Sequence, residues 1–170
     1  FANTSAIVNI SVASGNGNLV DNPGFEFGTT SWSAHGGHSI GTTSSPVYAG
    51  SSAGRAFDRN NAYDGLSQAL TGELIAGRTY LFSCKARISE GNDTCTITVK
   101  TSYSTGSPTY KTVASAQVST SEWTRIQGEH IFTPDPSRTV TEVRFYIAAV
   151  QPPVEIFVDD MFGAETTLAT

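Results

Sequence analysis

Charge is scarce in this chain. Asp, Glu, Lys and Arg together make up 15% of it, and 15 acids against 10 bases leave a net charge of -5. No basic stripe runs through the sequence, which argues against a nucleic-acid surface. Long apolar runs are also missing. None approaches the roughly 20 residues that span a bilayer, so no membrane partner is expected. Residues 1–18 lack the charged start and apolar core of a signal peptide, and the chain reads as a mature secreted piece or one excised from a longer protein. Cysteine is limited to Cys84 and Cys95, and two thiols alone make no zinc site. They sit on what read as successive strands around the turn Glu90-Gly91-Asn92-Asp93. A disulfide across that hairpin and a pair of buried thiols both remain open. There is no Gly-x-Ser-x-Gly elbow and no phosphate-cradling glycine loop. His35 and His38 bracket Gly36-Gly37 with no third metal ligand nearby, and His130 reads as a solvent-facing residue within a strand.

Ser, Thr, Gly and Asn are abundant instead, a composition that suits an extracellular β-protein meeting a neutral, hydroxyl-rich ligand. Apolar residues alternate with period two between Gly, Pro, Asn and Ser clusters. Strands are expected over 78–88, 94–100, 122–132, 140–150 and 154–162, the last two joined at Gln151-Pro152-Pro153. Helical periodicity is nearly absent, and only Thr71 to Ala76 suggests a short turn. Strands at roughly ten-residue spacing indicate a sandwich or barrel. The expected fold is an all-β jelly-roll β-sandwich of two antiparallel sheets. Residues 1–17 read as a flexible lead-in, 18–165 as one module and 166–170 as a tail or linker.

In such a sandwich the first and last strands are neighbours, so acids from the two ends can meet. Glu26 follows Asn22-Pro23-Gly24-Phe25, and Asp159-Asp160 closes Ile156-Phe157-Val158. Adjacent aspartates on a strand point to opposite faces, a poor geometry for the carboxylate pair of a glycosidase. Calcium takes six to eight oxygens from carboxylates and carbonyls. Glu26, Asp159 or Asp160 and the backbone carbonyl of Ser52 could supply a structural site, and ordinary strand-end acids are the plain alternative.

Several motifs in order resemble one family. Asn18-Leu19-Val20-x-Asn22-Pro23-Gly24-Phe25-Glu26, then Trp32-Ser33-Ala34-His35-Gly36, then Gly50-Ser51-Ser52 resemble the start of carbohydrate-binding modules of families 4, 9 and 22. Tyr63-Asp64-Gly65-Leu66-Ser67-Gln68-Ala69-Leu70-Thr71 resembles a family 22 segment that normally reads Trp-x-Gly-Pro-Ser-Gln-x-Leu-Thr. Ala76-Gly77-Arg78-Thr79-Tyr80, Glu122-Trp123-Thr124, Phe145-Tyr146-Ile147 and Phe157-Val158-Asp159-Asp160 continue the likeness over residues 18–165.

The resemblance to family 22 implies a non-catalytic, monomeric xylan-binding module, secreted and covalently linked to a xylanase. It also implies a structural calcium and a cleft on one sheet lined by aromatic rings. Tyr63, Tyr146 and Tyr110 fall on the ring positions, with Tyr103 as the alternative to Tyr110. His35 stands where the family often has Arg, and Ala148 where it often has Glu. An aromatic ring covers the apolar face of a pyranose and leaves its hydroxyl rim free, and Tyr adds a polar tip. Gln68, His35 and Asn61 offer hydrogen bonds to that rim. The expected ligand is β-1,4-xylan or xylo-oligosaccharide. Mixed-linkage β-glucan and a structural, thermostabilising role with little sugar affinity are the alternatives. Trp32 and Trp123 read as structural.

Overall fold

A computed structural model describes residues 10–12 and 17–168. Among the described residues all regular elements are strands: β1 (Ile10–Val12), β2 (Ser33–His35), β3 (Ser39–Thr43), β4 (Ala53–Phe57), β5 (Gly65–Ala69), β6 (Thr79–Ile88), β7 (Asn92–Tyr103), β8 (Thr109–Ser119), β9 (Thr124–Ile131), β10 (Val140–Ala148) and β11 (Ile156–Leu168). They form two antiparallel sheets, β2-β5-β10-β7-β8 and β3-β4-β11-β6-β9, with β1 pairing the far end of β11. This is the sandwich expected from the alternation. Strand β6 shows the cause: Tyr80, Phe82, Cys84, Ala86 and Ile88 are buried on its inner face. Burying each such side chain contributes about 1.5–3 kcal/mol for the large apolar ones.

Two connections differ from expectation. Strands β6 and β7 do not form a hairpin, because β6 belongs to the six-stranded sheet and β7 to the five-stranded one. Cys84 and Cys95 therefore face the core from opposite sheets, and both are free and buried. Burial pushes both thiols up, Cys95 to about 12. In the same way β10 and β11 cross between sheets through Gln151-Pro152-Pro153. Successive strands that are inward-facing and apolar read alike whether they pair or face each other. Of the lead-in expected over 1–17, residues 1–9 and 13–16 lie outside the described residues. Ile10–Val12 pair with Leu168, Thr167 and Thr166, so β11 runs on past residue 165.

The two chain ends meet as expected. Asn18 donates from its side chain to the Met161 carbonyl and accepts from the Gly163 amide, and the Met161 amide donates to Pro23. The Asn-Pro-Gly-Phe segment sends Phe25 into the core, where it stacks on Trp32 at 4.4 Å and 27°. Trp32 meets Phe145 edge-on at 5.6 Å, and its indole N–H donates to the Asn22 carbonyl. Gly54 lies under Phe25, and a Cβ there would overlap the ring. His130, expected to face solvent, is buried beside Phe132 with its Nε2 unpartnered.

Candidate functional site

The outer face of the five-stranded sheet carries the site. Antiparallel register places Thr112, Thr98, Tyr146, Ser67 and Ser33 in one row across β8, β7, β10, β5 and β2. The next row, through Thr96 and Ala148, ends with Gly65 beside His35. Residues of one parity share a face, so these side chains stand on the surface opposite the core residues Ile97, Phe145 and Leu66.

His35 leans over this floor and stacks on Tyr146 with ring centroids 3.7 Å apart and planes at 10°. Tyr63 meets His35 edge-on at 6.5 Å from one side, and Tyr110 meets Tyr146 edge-on at 6.5 Å from the other. The four rings form one continuous strip. Tyr63 and Tyr110 are 55% and 51% exposed, whereas Tyr146 is 8% exposed. The outer two are thus open platforms, and Tyr146 is the floor. Beside the strip lies an open cavity of about 320 Å³ lined by Ala62, Tyr63, Thr96, Thr98, Thr112, Tyr146 and Ala149. The lining residues offer rings and hydroxyls and no carboxylate.

Electrostatics keeps the strip neutral. Burial, with Lys100 and Arg144 nearby, lowers the His35 pKa to about 4. Burial also pushes the Tyr146 phenol up. Asp64, buried in the adjacent wall, opposes the shift of His35 without outweighing it.

The wall that carries Tyr63 is built by two residues that the sequence reading missed. Arg59 is 2% exposed, and its guanidinium donates to the carbonyls of Asp64, Asn61, Ala62, Val150 and Val154. Asp64 is fully buried and accepts from the Asn60 and Asn61 amides at 2.9 Å. Burial pushes its carboxyl up, but these amides, His38 and Arg59 outweigh that and hold it below its usual value. An Asp-Arg-Asn-Asn run in a loop reads as solvated polarity, so the sequence carried no sign of either burial.

Of the seven expected sugar contacts, Tyr63, Tyr146, Tyr110 and His35 meet in the strip, and Asn61 is exposed in the loop that carries Tyr63. The other two do not. Gln68 shares a parity with the core residue Leu66, is 3% exposed, and exchanges two hydrogen bonds with the Asp21 backbone. It ties down the N-terminal segment rather than facing the cleft. Tyr103 lies on the inner parity at the end of β7. Its hydroxyl accepts from the Asp135 amide, and Arg138 covers its ring at 3.8 Å. Nor do the two loop histidines pair. His35 faces the cleft, whereas the buried His38 ring lies 3.9 Å from Asp64.

The expected calcium ligands gather around residues 48–52. Asp159 is fully buried, and its carboxylate accepts from the amides of Tyr48 (2.9 Å), Ala49 (3.0 Å) and Asp160 (2.8 Å). Burial pushes its pKa up, and no cationic side chain pairs with it among the described residues. These amides satisfy the Asp159 oxygens but leave its charge without a counter-ion, a cost that a cation would offset. Glu26 is exposed and its oxygens are already capped by the Ser51 amide and hydroxyl and the Ser52 amide. Ser52 turns its amide to Glu26, and Asp160 is exposed. Among the described residues no three His, Cys, Asp or Glu side chains group around one point.

The described family that matches residues 17–153 is Carbohydrate binding domain. Endo-1,4-beta-xylanase A of Thermotoga maritima is 29% identical over 147 residues, 85% of this chain and 14% of that protein. Exoglucanase XynX of Acetivibrio thermocellus is 28% identical over 86% of this chain and 14% of its own length. The chain thus spans about a seventh of these curated relatives. Two solved structures share the fold. The C-terminal family 22 carbohydrate-binding module of Clostridium thermocellum Xyn10B matches with a TM-score of 0.80 at 22% identity, covering 93% of this chain and 100% of the other. The CBM22-1 xylan-binding domain of Paenibacillus barcinonensis Xyn10C matches with a TM-score of 0.79 at 22% identity over 92% and 99%.

Proposed function

The chain belongs to the carbohydrate-binding domain family, and from that premise we propose that it is a non-catalytic module that binds β-1,4-xylan in the cleft of its five-stranded sheet. It tethers an appended, secreted xylanase to plant cell-wall polysaccharide, and it acts as a monomer outside the cell. The observation that carries this reading is the strip Tyr63–His35–Tyr146–Tyr110 beside an open, hydroxyl-lined cavity. The xylan-binding domain of similar fold and the xylanases among the relatives support the choice of sugar.

The chemistry follows from the rings. The exposed faces of Tyr63 and Tyr110 take the apolar faces of two sugar units. The Thr96, Thr98 and Thr112 hydroxyls meet the equatorial rim, each such bond netting about 0.5–1.5 kcal/mol. Two rings and a few bonds give micromolar to millimolar affinity, roughly -4 to -8 kcal/mol. Weak binding suits a tether that releases and rebinds, because the linked domain works at a raised local concentration. Calorimetric titration with xylohexaose tests this. Heat from the parent chain that vanishes in a folded Tyr63→Ala variant is expected, and no heat from the parent overturns the assignment.

A second reading, a stabilising module with little sugar affinity, is favoured by one observation. His35 closes one face of the Tyr146 ring. Failure of the parent to bind xylohexaose and barley β-glucan alike would establish it.

The reading includes a structural calcium held by Asp159 with oxygens of the 48–52 loop. When bound it supplies the positive charge that the buried carboxylate lacks. Adding calcium to chelator-treated protein should raise Tm by a few degrees, and an Asp159→Asn variant should lose that response. An unchanged Tm on calcium addition overturns the metal.

A further inference from the structure

Two cations stand side by side next to the aromatic strip. Lys100 on β7 is directly opposite Arg144 on β10, and Lys100 is also directly opposite Tyr110 on β8. Lys100 shares the parity of Thr96 and Thr98, and Arg144 that of Tyr146, so both rise from the cleft face. They form the row immediately beside the one that holds Tyr146. Like charges opposite one another destabilise a sheet, and this chain has only 10 bases to place.

The two are held differently. Arg144 donates to the Ser33 and Ser67 hydroxyls at 2.6 and 2.9 Å and reaches Glu142 at 3.3 Å. Its position is set by the floor of the cleft. Lys100 pairs with no carboxylate within 4 Å among the described residues. Burial first, and then both cations, disfavour protonation of His35, which places them close to the strip. A neutral sugar chain gives their field nothing to meet.

We propose that Lys100, backed by Arg144, is a subsite for the carboxylate of a uronic acid carried as a branch on the sugar chain in the cleft. The inference rests on the xylan-binding reading and specifies the decorated form of the substrate. An ammonium on a flexible four-carbon stem suits a branch that arrives at variable angles, and Arg144, held by Ser33, Ser67 and Glu142, adds positive charge beside it. Tyr110, opposite Lys100, holds the sugar unit that bears the branch.

The test is calorimetry on the whole chain with three probes: xylotetraose, xylotetraose with one glucuronic-acid branch, and trigalacturonate. The parent should bind the branched probe roughly fivefold tighter than the unbranched one. Raising salt from about 50 to 300 mM should erode that margin. Lys100→Gln should abolish the preference while keeping affinity for unbranched xylotetraose. Equal affinity of the parent for both xylotetraoses, with binding intact, overturns the subsite alone. Binding of neither overturns the xylan reading and the subsite together. Trigalacturonate binding as tightly as the branched probe moves the carboxylate from branch to main chain and also overturns the proposal.

Discussion

Two ring pairs in this molecule have nearly the same geometry and opposite tasks. Phe25 and Trp32 stack at 4.4 Å in the core, and His35 and Tyr146 stack at 3.7 Å in the cleft. Trp32 and His35 are three positions apart in the chain, and their odd spacing sends them to opposite faces of the sheet. The stack does not reveal the role; the surroundings do. The core pair is closed by Gly54 below and Phe145 at the edge. The cleft pair is flanked by Tyr63 and Tyr110, both about half exposed. Protein removes the first pair from water, and the second pair keeps neighbours whose ring faces stay open.

The sharpest way to break the comparison is to cut each pair in turn. Trp32→Ala should cost about 3–5 kcal/mol of stability by cavity formation, read as a lower midpoint in urea unfolding. A loss under 1 kcal/mol would show that the core pair is not structural. Tyr63→Ala should leave stability within about 0.5 kcal/mol and weaken xylohexaose binding roughly tenfold or more. An unfolded variant would reverse the assignment of that ring. His35→Ala should weaken binding roughly threefold, because the stack orients Tyr146; tighter binding would mean that His35 merely covers the ring.

The smallest effect concerns pH. The His35 pKa falls from its ordinary 6.5 to about 4 in the folded chain. Its contribution to stability is complete above pH 6.5, where the ring is neutral in both states. Below that the unfolded chain takes up a proton that the folded chain refuses, so stability is lost as pH falls toward about 4. His38 and His130 are shifted the same way. Thermal melts of His35→Ala between pH 7 and 4 should show a shallower decline than the parent. Identical slopes would remove His35 from the acid response.

The sequence was most legible where alternation is clean. Strands β6 and β10 could be read because apolar residues recur at alternate positions on their inner faces, whereas on β9 the inward Gly128 and His130 interrupt the pattern. Strand β8 was harder to see. It lies at the sheet edge, most of its residues are at least partly exposed, and Val113 bulges from the ladder between the Ile97–Ala114 and Thr98–Thr112 pairs. The cleft rings could be placed by motif order, since Tyr63 and Tyr146 sit in segments of fixed spacing. Gln68 shows the limit of that approach. A motif marks the strand but not the face, and position 68 shares its parity with core residue Leu66. Arg59 was invisible because its burial depends on carbonyls more than 85 residues away, which no local pattern encodes, and Asp64 is buried in the loop that Arg59 holds.

The Arg59 clamp has a consequence for how this cleft can change. Its five contacts are all main-chain oxygens, so it is indifferent to which side chains the loops carry. Positions 60–63 and 151–153 can be exchanged while the loop path stays the same. The anchor that fixes the wall is thereby uncoupled from the surface that touches the ligand, and new sugar preferences can be grafted onto an unchanged frame.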